Sequence, residues 1–170
     1  ENNYLEDDIC NAIKLLINPK EENEYYPNDF TEVFKCILLG HSGVGKTTFV
    51  NTIQGKQENN ISTIGIQGIN ILTEICGEKN SIMLYDTAGQ ERFECMTRNY
   101  IRDADGILLM FDVTNGDSFK KVDKWISSVK ENNNKKCEML LIGNKIDLND
   151  KRIISKVEAK NKANNYNINY

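Results

Sequence analysis

The sequence predicts an α/β domain: a mostly parallel sheet with helices on both faces and one antiparallel edge strand. Three features carry that prediction. Short apolar runs at 33–39, 106–111 and 139–142 alternate with segments of helical period. Residues 66–75 alternate apolar and polar side chains and lead through a turn at 76–80 into a second extended run at 81–85, the pattern of an antiparallel hairpin. A glycine-rich stretch, 40–47, joins the first apolar run directly to a helical segment. At 170 residues the chain is about one domain long, enough to bury a core without disulfides or a structural metal.

Composition narrows the class. Mean hydropathy is −0.52, and no apolar run approaches the ~18 residues of a membrane span. The five cysteines, Cys10, Cys36, Cys76, Cys95 and Cys137, are odd in number and widely spaced, as free thiols in a reducing compartment are. Net charge is −4, but residues 1–32 hold nine acidic and two basic side chains, so the rest of the chain is net positive by three. Neither part has the basic stripe of a nucleic-acid binder.

Taken in order, residues 1–32 read as an acidic extension. Asp7 or Asp8 can cap a helix whose Ile9, Ala12, Ile13, Leu16 and Ile17 share one face, and Asn18-Pro19 ends it. Residues 20–31, with Pro27, read as a linker. Residues 33–170 form the domain proper. Strand 33–39 enters the glycine loop, helix 48–54 leaves it, and the hairpin comes next. Strand 106–111 precedes a helix at 118–132 with Phe119, Val122, Trp125, Ile126 and Val129 on one side. Strand 139–142, a helix at 155–164 and an extended end at 167–170 complete the chain.

Gly40-His41-Ser42-Gly43-Val44-Gly45-Lys46-Thr47 fits G-x-x-x-x-G-K-[ST] in the strand–loop–helix context that this motif requires. Its glycines let successive N–H groups turn inward as an anion nest, and the next helix adds its positive end. Lys46 is a compact cation for β- and γ-phosphates, and the Thr47 hydroxyl is a hard oxygen for Mg²⁺. The domain is therefore expected to have the three-layer P-loop NTPase fold. The loop alone does not separate ATPase, kinase and GTPase.

Two further motifs bear on that choice. Asp86-Thr87-Ala88-Gly89-Gln90-Glu91 comes after a strand, so the Asp86 carboxylate can hold Mg²⁺ through its water shell. The Gly89 N–H can approach a γ-phosphate, and Gln90 can orient an attacking water. Asn144-Lys145-Ile146-Asp147 comes after another strand. The Asp147 carboxylate can accept two bonds from the N1 and N2 edge of guanine, which adenine cannot offer. The Lys145 stem can lie along the base, and Asn144 can tie this loop to the phosphate loop.

These motifs, in this order, are similar to small Ras-superfamily GTPases and most like the Rab family. The resemblance runs from about Val33 to the end. It rests on GHSGVGKT at 40–47, Ser62-Thr63-Ile64-Gly65, DTAGQERF at 86–93, FDVTNGDSF at 111–119 and GNKIDL at 143–148. It implies a switch that binds GTP and GDP with Mg²⁺ and hydrolyses GTP slowly. Gln90 would be the catalytic residue. Ser42, Gly43, Val44, Gly45, Lys46, Thr47, Thr48, Thr63, Gly89, Asn144, Lys145 and Asp147 would hold the nucleotide, and Thr47, Thr63 and Asp86 the metal. Loss of γ-phosphate would relax the loops around Thr63 and Gly89. Partners implied are an exchange factor, a GTPase-activating protein and effectors. A C-terminal lipid anchor would place a cytoplasmic protein on the cytosolic face of intracellular membranes, in vesicle traffic.

The sequence departs from that pattern in places. Gly68 stands where an effector-patch aromatic is usual, Tyr85 replaces a tryptophan, and Tyr100 keeps the third ring. The segment between Thr47 and Thr63 is short, and residues 55–62 hold no aromatic to pack on guanine, which points to weaker nucleotide binding. His41, where Asp is usual, reads as a surface filler. The domain is expected to be C-terminally incomplete, with 167–170 opening a sixth strand. Without a last helix, one face of the sheet is expected to expose apolar surface. A degenerate GTPase scaffold that binds partners without cycling is the alternative reading.

Overall fold

The structure is a computed structural model that describes residues 32–55, 65–75, 78–87 and 94–170. The predicted helix at 9–17 lies outside them. The elements are β1 (Glu32–Gly40), α1 (Lys46–Ile53), β2 (Ile66–Ile75), β3 (Glu78–Thr87), α2 (Glu94–Ile101), β4 (Gly106–Asp112), α3 (Gly116–Asn132), β5 (Glu138–Asn144) and α4 (Lys156–Tyr166), with a short 3₁₀ turn at Asn149–Lys151.

The five strands form one sheet in the order β2-β3-β1-β4-β5. β2 pairs antiparallel with β3, Ile69 opposite Leu84, and every other neighbour is parallel. This is the predicted mostly parallel sheet with an antiparallel edge. Asn169 adds an isolated parallel bridge to Leu140 beyond β5.

Burial explains why these runs are strands. β4 is buried along its whole length, so its side chains alternate between two apolar layers. Ile107, Leu109 and Phe111 face a layer closed by Val122, Trp125, Ile126 and Val129 of α3 and by Ala159 and Ala163 of α4. Leu108 and Met110 face the other layer, with Cys36, Leu38, Ile82, Leu84 and Leu140, on which α1 lays Val50, Phe49 and Ile53.

Local signals set the helix ends. The Asn115 side chain accepts from the N–H groups of Asp117 and Ser118, so α3 starts at Gly116, two residues before the predicted helix. Ser155 and Glu158 form a reciprocal capping box at the start of α4. Lys162 of α4 reaches the Asp123 carboxylate of α3 at 2.7 and 2.8 Å, which holds the two helices side by side.

Two differences from expectation stand out. Helix α2 has no counterpart in the sequence reading; among its described side chains Thr97 and Ile101 are the buried ones. The sheet face expected to expose apolar surface does not. Leu108 and Met110 are 0% exposed and Cys36 1%, so that face is covered.

Candidate functional site

The parallel strands β1, β3, β4 and β5 all end on the same side of the sheet, and their carboxyl ends carry the candidate residues. β1 runs out at Gly40, which lies beside Met110 of β4 so closely that a Cβ there would collide with the Met110 carbonyl. Only glycine lets the loop leave at this point.

The loop then closes on Lys46, the first residue of α1. Its Nζ donates to the carbonyls of Gly40 at 2.8 Å and His41 at 3.0 Å, and the residue is 5% exposed. Burial pulls the ammonium down to about 8, while the Asp86 charge works against that fall. Ser42, Gly43 and Thr48 are exposed, Val44 is buried and Thr47 is half-buried. Gly45, at φ 97°, precedes α1 in a left-handed conformation and accepts from the Phe49 N–H.

Asp86 stands opposite Leu38 near the end of β3, which sets it beside the loop. Its Oδ2 accepts a 2.7 Å bond from the Thr47 hydroxyl. Next to it, the buried Thr87 hydroxyl donates to the Leu38 carbonyl at 2.7 Å and pins the strand end. A buried cation, a hydroxyl and a carboxylate thus share one end of the sheet. Among the described residues no three His, Cys, Asp or Glu side chains gather to hold a metal by themselves.

The loop after β5 is joined to the glycine loop. The Asn144 side-chain amide donates to the Val44 carbonyl at 2.9 Å, and a Cβ at Gly45 would collide with that same amide. Lys145 has φ 62°, and its Nζ meets Asp112 Oδ2 at 2.8 Å rather than standing alone in the loop. Asp147 is exposed. Thr63, Gly89 and Gln90 lie outside the described residues.

A profile of the Ras family matches residues 35–170. The chain belongs to the Ras family. Within this family it is a Rab-like small GTPase. It is 40% identical to the Ras-related protein Rab-10 of Diplobatis ommata over 81% of this chain and 70% of that one. It is 41% identical to Rab-13 of Bos taurus over 83% of this chain and 70% of that one. The figure is also 41% for Rab-8B of Homo sapiens, over 81% and 68% of the two chains.

Two features of this Ras-family chain were missed from the sequence. Asp112, at the end of β4, is 5% exposed and accepts from the Thr114 N–H and hydroxyl at 2.8 and 2.7 Å as well as from Lys145. Burial works to raise its carboxyl, but the bonds from Lys145 and Thr114 outweigh that and hold it below the ordinary range. The only local sign of it is a carboxylate at the end of an otherwise apolar strand. His41 is the second. Its ring lies 3.2 Å from Lys121 Nζ of α3, so this half-buried side chain fills space against a helix, a contact that the sequence did not show.

In the aromatic patch the Tyr85 and Tyr100 rings meet at 4.9 Å between centroids, tilted by 60°, and Lys35 Nζ stands 5.7 and 5.3 Å from the two rings. The Tyr85 ring leans over Gly68, where a Cβ would lie 3.1 Å from it. No helix of the described residues is long and apolar enough to cross a membrane.

Proposed function

We propose that this GTPase binds GTP and GDP at the carboxyl end of its sheet, hydrolyses GTP slowly and works as a two-state switch in vesicle traffic. The observation that carries the reading is the Thr47 hydroxyl bonded at 2.7 Å to Asp86, beside the buried Lys46 ammonium. In this reading residues 42–48 cradle the phosphates through backbone N–H groups, with Lys46 exchanging its two loop carbonyls for phosphate oxygens. Asn144 holds the base loop against the phosphate loop, Lys145 flanks the base, and Asp147 accepts from the guanine edge.

The oxygen set fits Mg²⁺, since the Thr47 hydroxyl and the Asp86 carboxylate are hard donors, and Thr63 would join them. Bound Mg²⁺ would supply positive charge to the phosphate oxygens. Gln90 orients the water, and Thr63 and Gly89 sense the γ-phosphate and change the surface offered to effectors. An exchange factor and a GTPase-activating protein set the timing. A lipid anchor C-terminal to this domain would hold the switch on the cytosolic face of a membrane. Residues 33–170 act as the GTPase domain, and 1–32 as an acidic extension to it.

The test has three parts. Heat-released nucleotide is identified by chromatography, single-turnover hydrolysis is compared between wild type and Gln90→Leu, and Asp147→Asn is assayed for preference between guanosine and xanthosine triphosphates. Guanine nucleotide, slower turnover in Gln90→Leu and a shift to xanthosine are expected. Absence of bound guanine nucleotide together with absence of Mg²⁺-dependent hydrolysis would leave the degenerate-scaffold reading.

A further inference from the structure

Lys145 is held harder than a lysine in a solvent-facing loop needs to be. Its backbone stands at φ 62°, a left-handed conformation that residues with a side chain enter at a cost. Its Nζ lies 2.8 Å from Oδ2 of the buried Asp112, and only 33% of the Lys145 side chain stays exposed. The ion pair draws the lysine back onto the end of β4.

The two oxygens of Asp112 have different tasks. Oδ1 accepts from the Thr114 N–H at 2.8 Å and from its hydroxyl at 2.7 Å. The Asp112 N–H donates to Ser118 Oγ at 3.0 Å. These bonds tie the carboxylate to the turn before α3, where Asn115 caps the helix. Oδ2 goes to Lys145, which belongs to another loop.

From Lys145 the hold passes along that loop. The Leu148 N–H donates to the Lys145 carbonyl at 3.1 Å and closes the turn 145–148, which contains Asp147. On the other side, the Asn144 carbonyl accepts from the Val113 N–H at 3.1 Å, and its amide reaches Val44. Lys145 is thus the link between the braced end of β5 and the turn with Asp147.

We propose that Asp112 is a positioning residue for the guanine base: by seating Lys145 it fixes the Lys145 stem and the Asp147 carboxylate, and so sets nucleotide residence and guanine selectivity. The inference deepens the GTPase reading and rests on it. With the ammonium occupied by Asp112, the apolar stem is the part of Lys145 left for a ring to lie on. Asp147 is exposed and depends on the turn for its direction.

Asp112→Asn isolates the Lys145 arm. The asparagine keeps a carbonyl oxygen for Thr114 and turns an NH₂, which cannot accept, toward Lys145. Thr114→Val is the control, because it weakens the other arm and leaves the ion pair. Release of GDP and of inosine diphosphate, which lacks the 2-amino donor, is followed by stopped flow on the full chain. Asp112→Asn is expected to release GDP about tenfold faster, with a smaller preference for GDP over inosine diphosphate. In a Lys145→Met background the same change is expected to add less than about twofold, since its route is already gone. Thr114→Val is expected to lower stability in denaturant without faster release.

GDP release at the wild-type rate in Asp112→Asn, an unchanged base preference, or equal acceleration by Thr114→Val overturns the inference while the GTPase reading stands. A wild-type chain that binds neither GDP nor GTP overturns both. Should Asp112→Asn fail to fold, Lys145→Met decides: an unchanged GDP release there overturns the proposal, and a release about tenfold faster with a narrowed base preference supports it.

Discussion

The Asn144 side-chain amide donates to the Val44 carbonyl at 2.9 Å, across a sequence separation of 100 residues. It makes the shape of the phosphate loop depend on the loop after β5. Replacing Asn144 by Ala leaves the Val44 carbonyl without this donor and is expected to cost about 1–2 kcal/mol of stability. The same loosening is expected to speed nucleotide release about tenfold. Denaturant unfolding of the nucleotide-free protein and a stopped-flow release assay measure the two effects separately. Unchanged release in a destabilised variant would show that the brace serves the fold alone.

If Lys46 holds phosphate as proposed, nucleotide binding is expected to be linked to protons. With its ammonium at about 8 in the free protein, half of the molecules at pH 8 carry a neutral Lys46. Phosphates favour the charged form, so binding takes up protons: about half a proton per nucleotide at pH 8 and nearly one at pH 9, with affinity falling as pH rises through this window. Calorimetry in buffers of different ionisation heat counts those protons. Zero uptake at pH 8 contradicts the prediction.

Asp112 and Lys145 form an anchor at the ends of β4 and β5. Asp112→Ala is expected to destabilise the domain by about 2–3 kcal/mol, since it removes a buried acceptor from Lys145 and Thr114 together. Acid should reveal the same anchor. Because the folded carboxyl lies below its unfolded value, its contribution is complete above the ordinary carboxylate range and is lost as pH falls through the lower folded value. The difference in Tm between wild type and Asp112→Asn should therefore hold steady from neutral pH to about 5 and narrow below about 4. A gap that widens on acidification is the opposite sign and rules out the anchor.

The aromatic patch yields a coupling test. Gly68→Phe must push the Tyr85 ring off the space above Gly68, disturbing its tilted contact with Tyr100. In a Tyr85→Ala background that space is empty. A double-mutant cycle is expected to show coupling of about 1 kcal/mol, the phenylalanine being better tolerated once Tyr85 is gone. Strict additivity would mean that the two positions do not compete.

Much of this was legible in the sequence, for reasons that differ by element. β4 could be read because a run of five apolar side chains, 107–111, ending in a carboxylate has few other fates. The Asn144 brace could be anticipated because the motif resemblance implies a tie between the loop after β5 and the glycine loop. Helix α2 could not be read, because one short polar turn with Thr97 and Ile101 inward has no measurable period. Nor could the Asp112–Lys145 pair, in which neighbouring strands bring together residues with no local signature. The buried apolar face runs against expectation because a sheet is closed by whatever packs on it, and α1 lays Val50 on the layer of Leu108 and Met110.

The central position of β1 also shapes how the protein is made. Cys36 pairs with Leu84 on one side and with Gly106 on the other, and both partners are translated well after it. At about 5–20 residues per second, the apolar strand emerges with both edges bare and waits seconds for each neighbour. During that interval β1 is an apolar stretch of nascent chain with no partner of its own to shelter it.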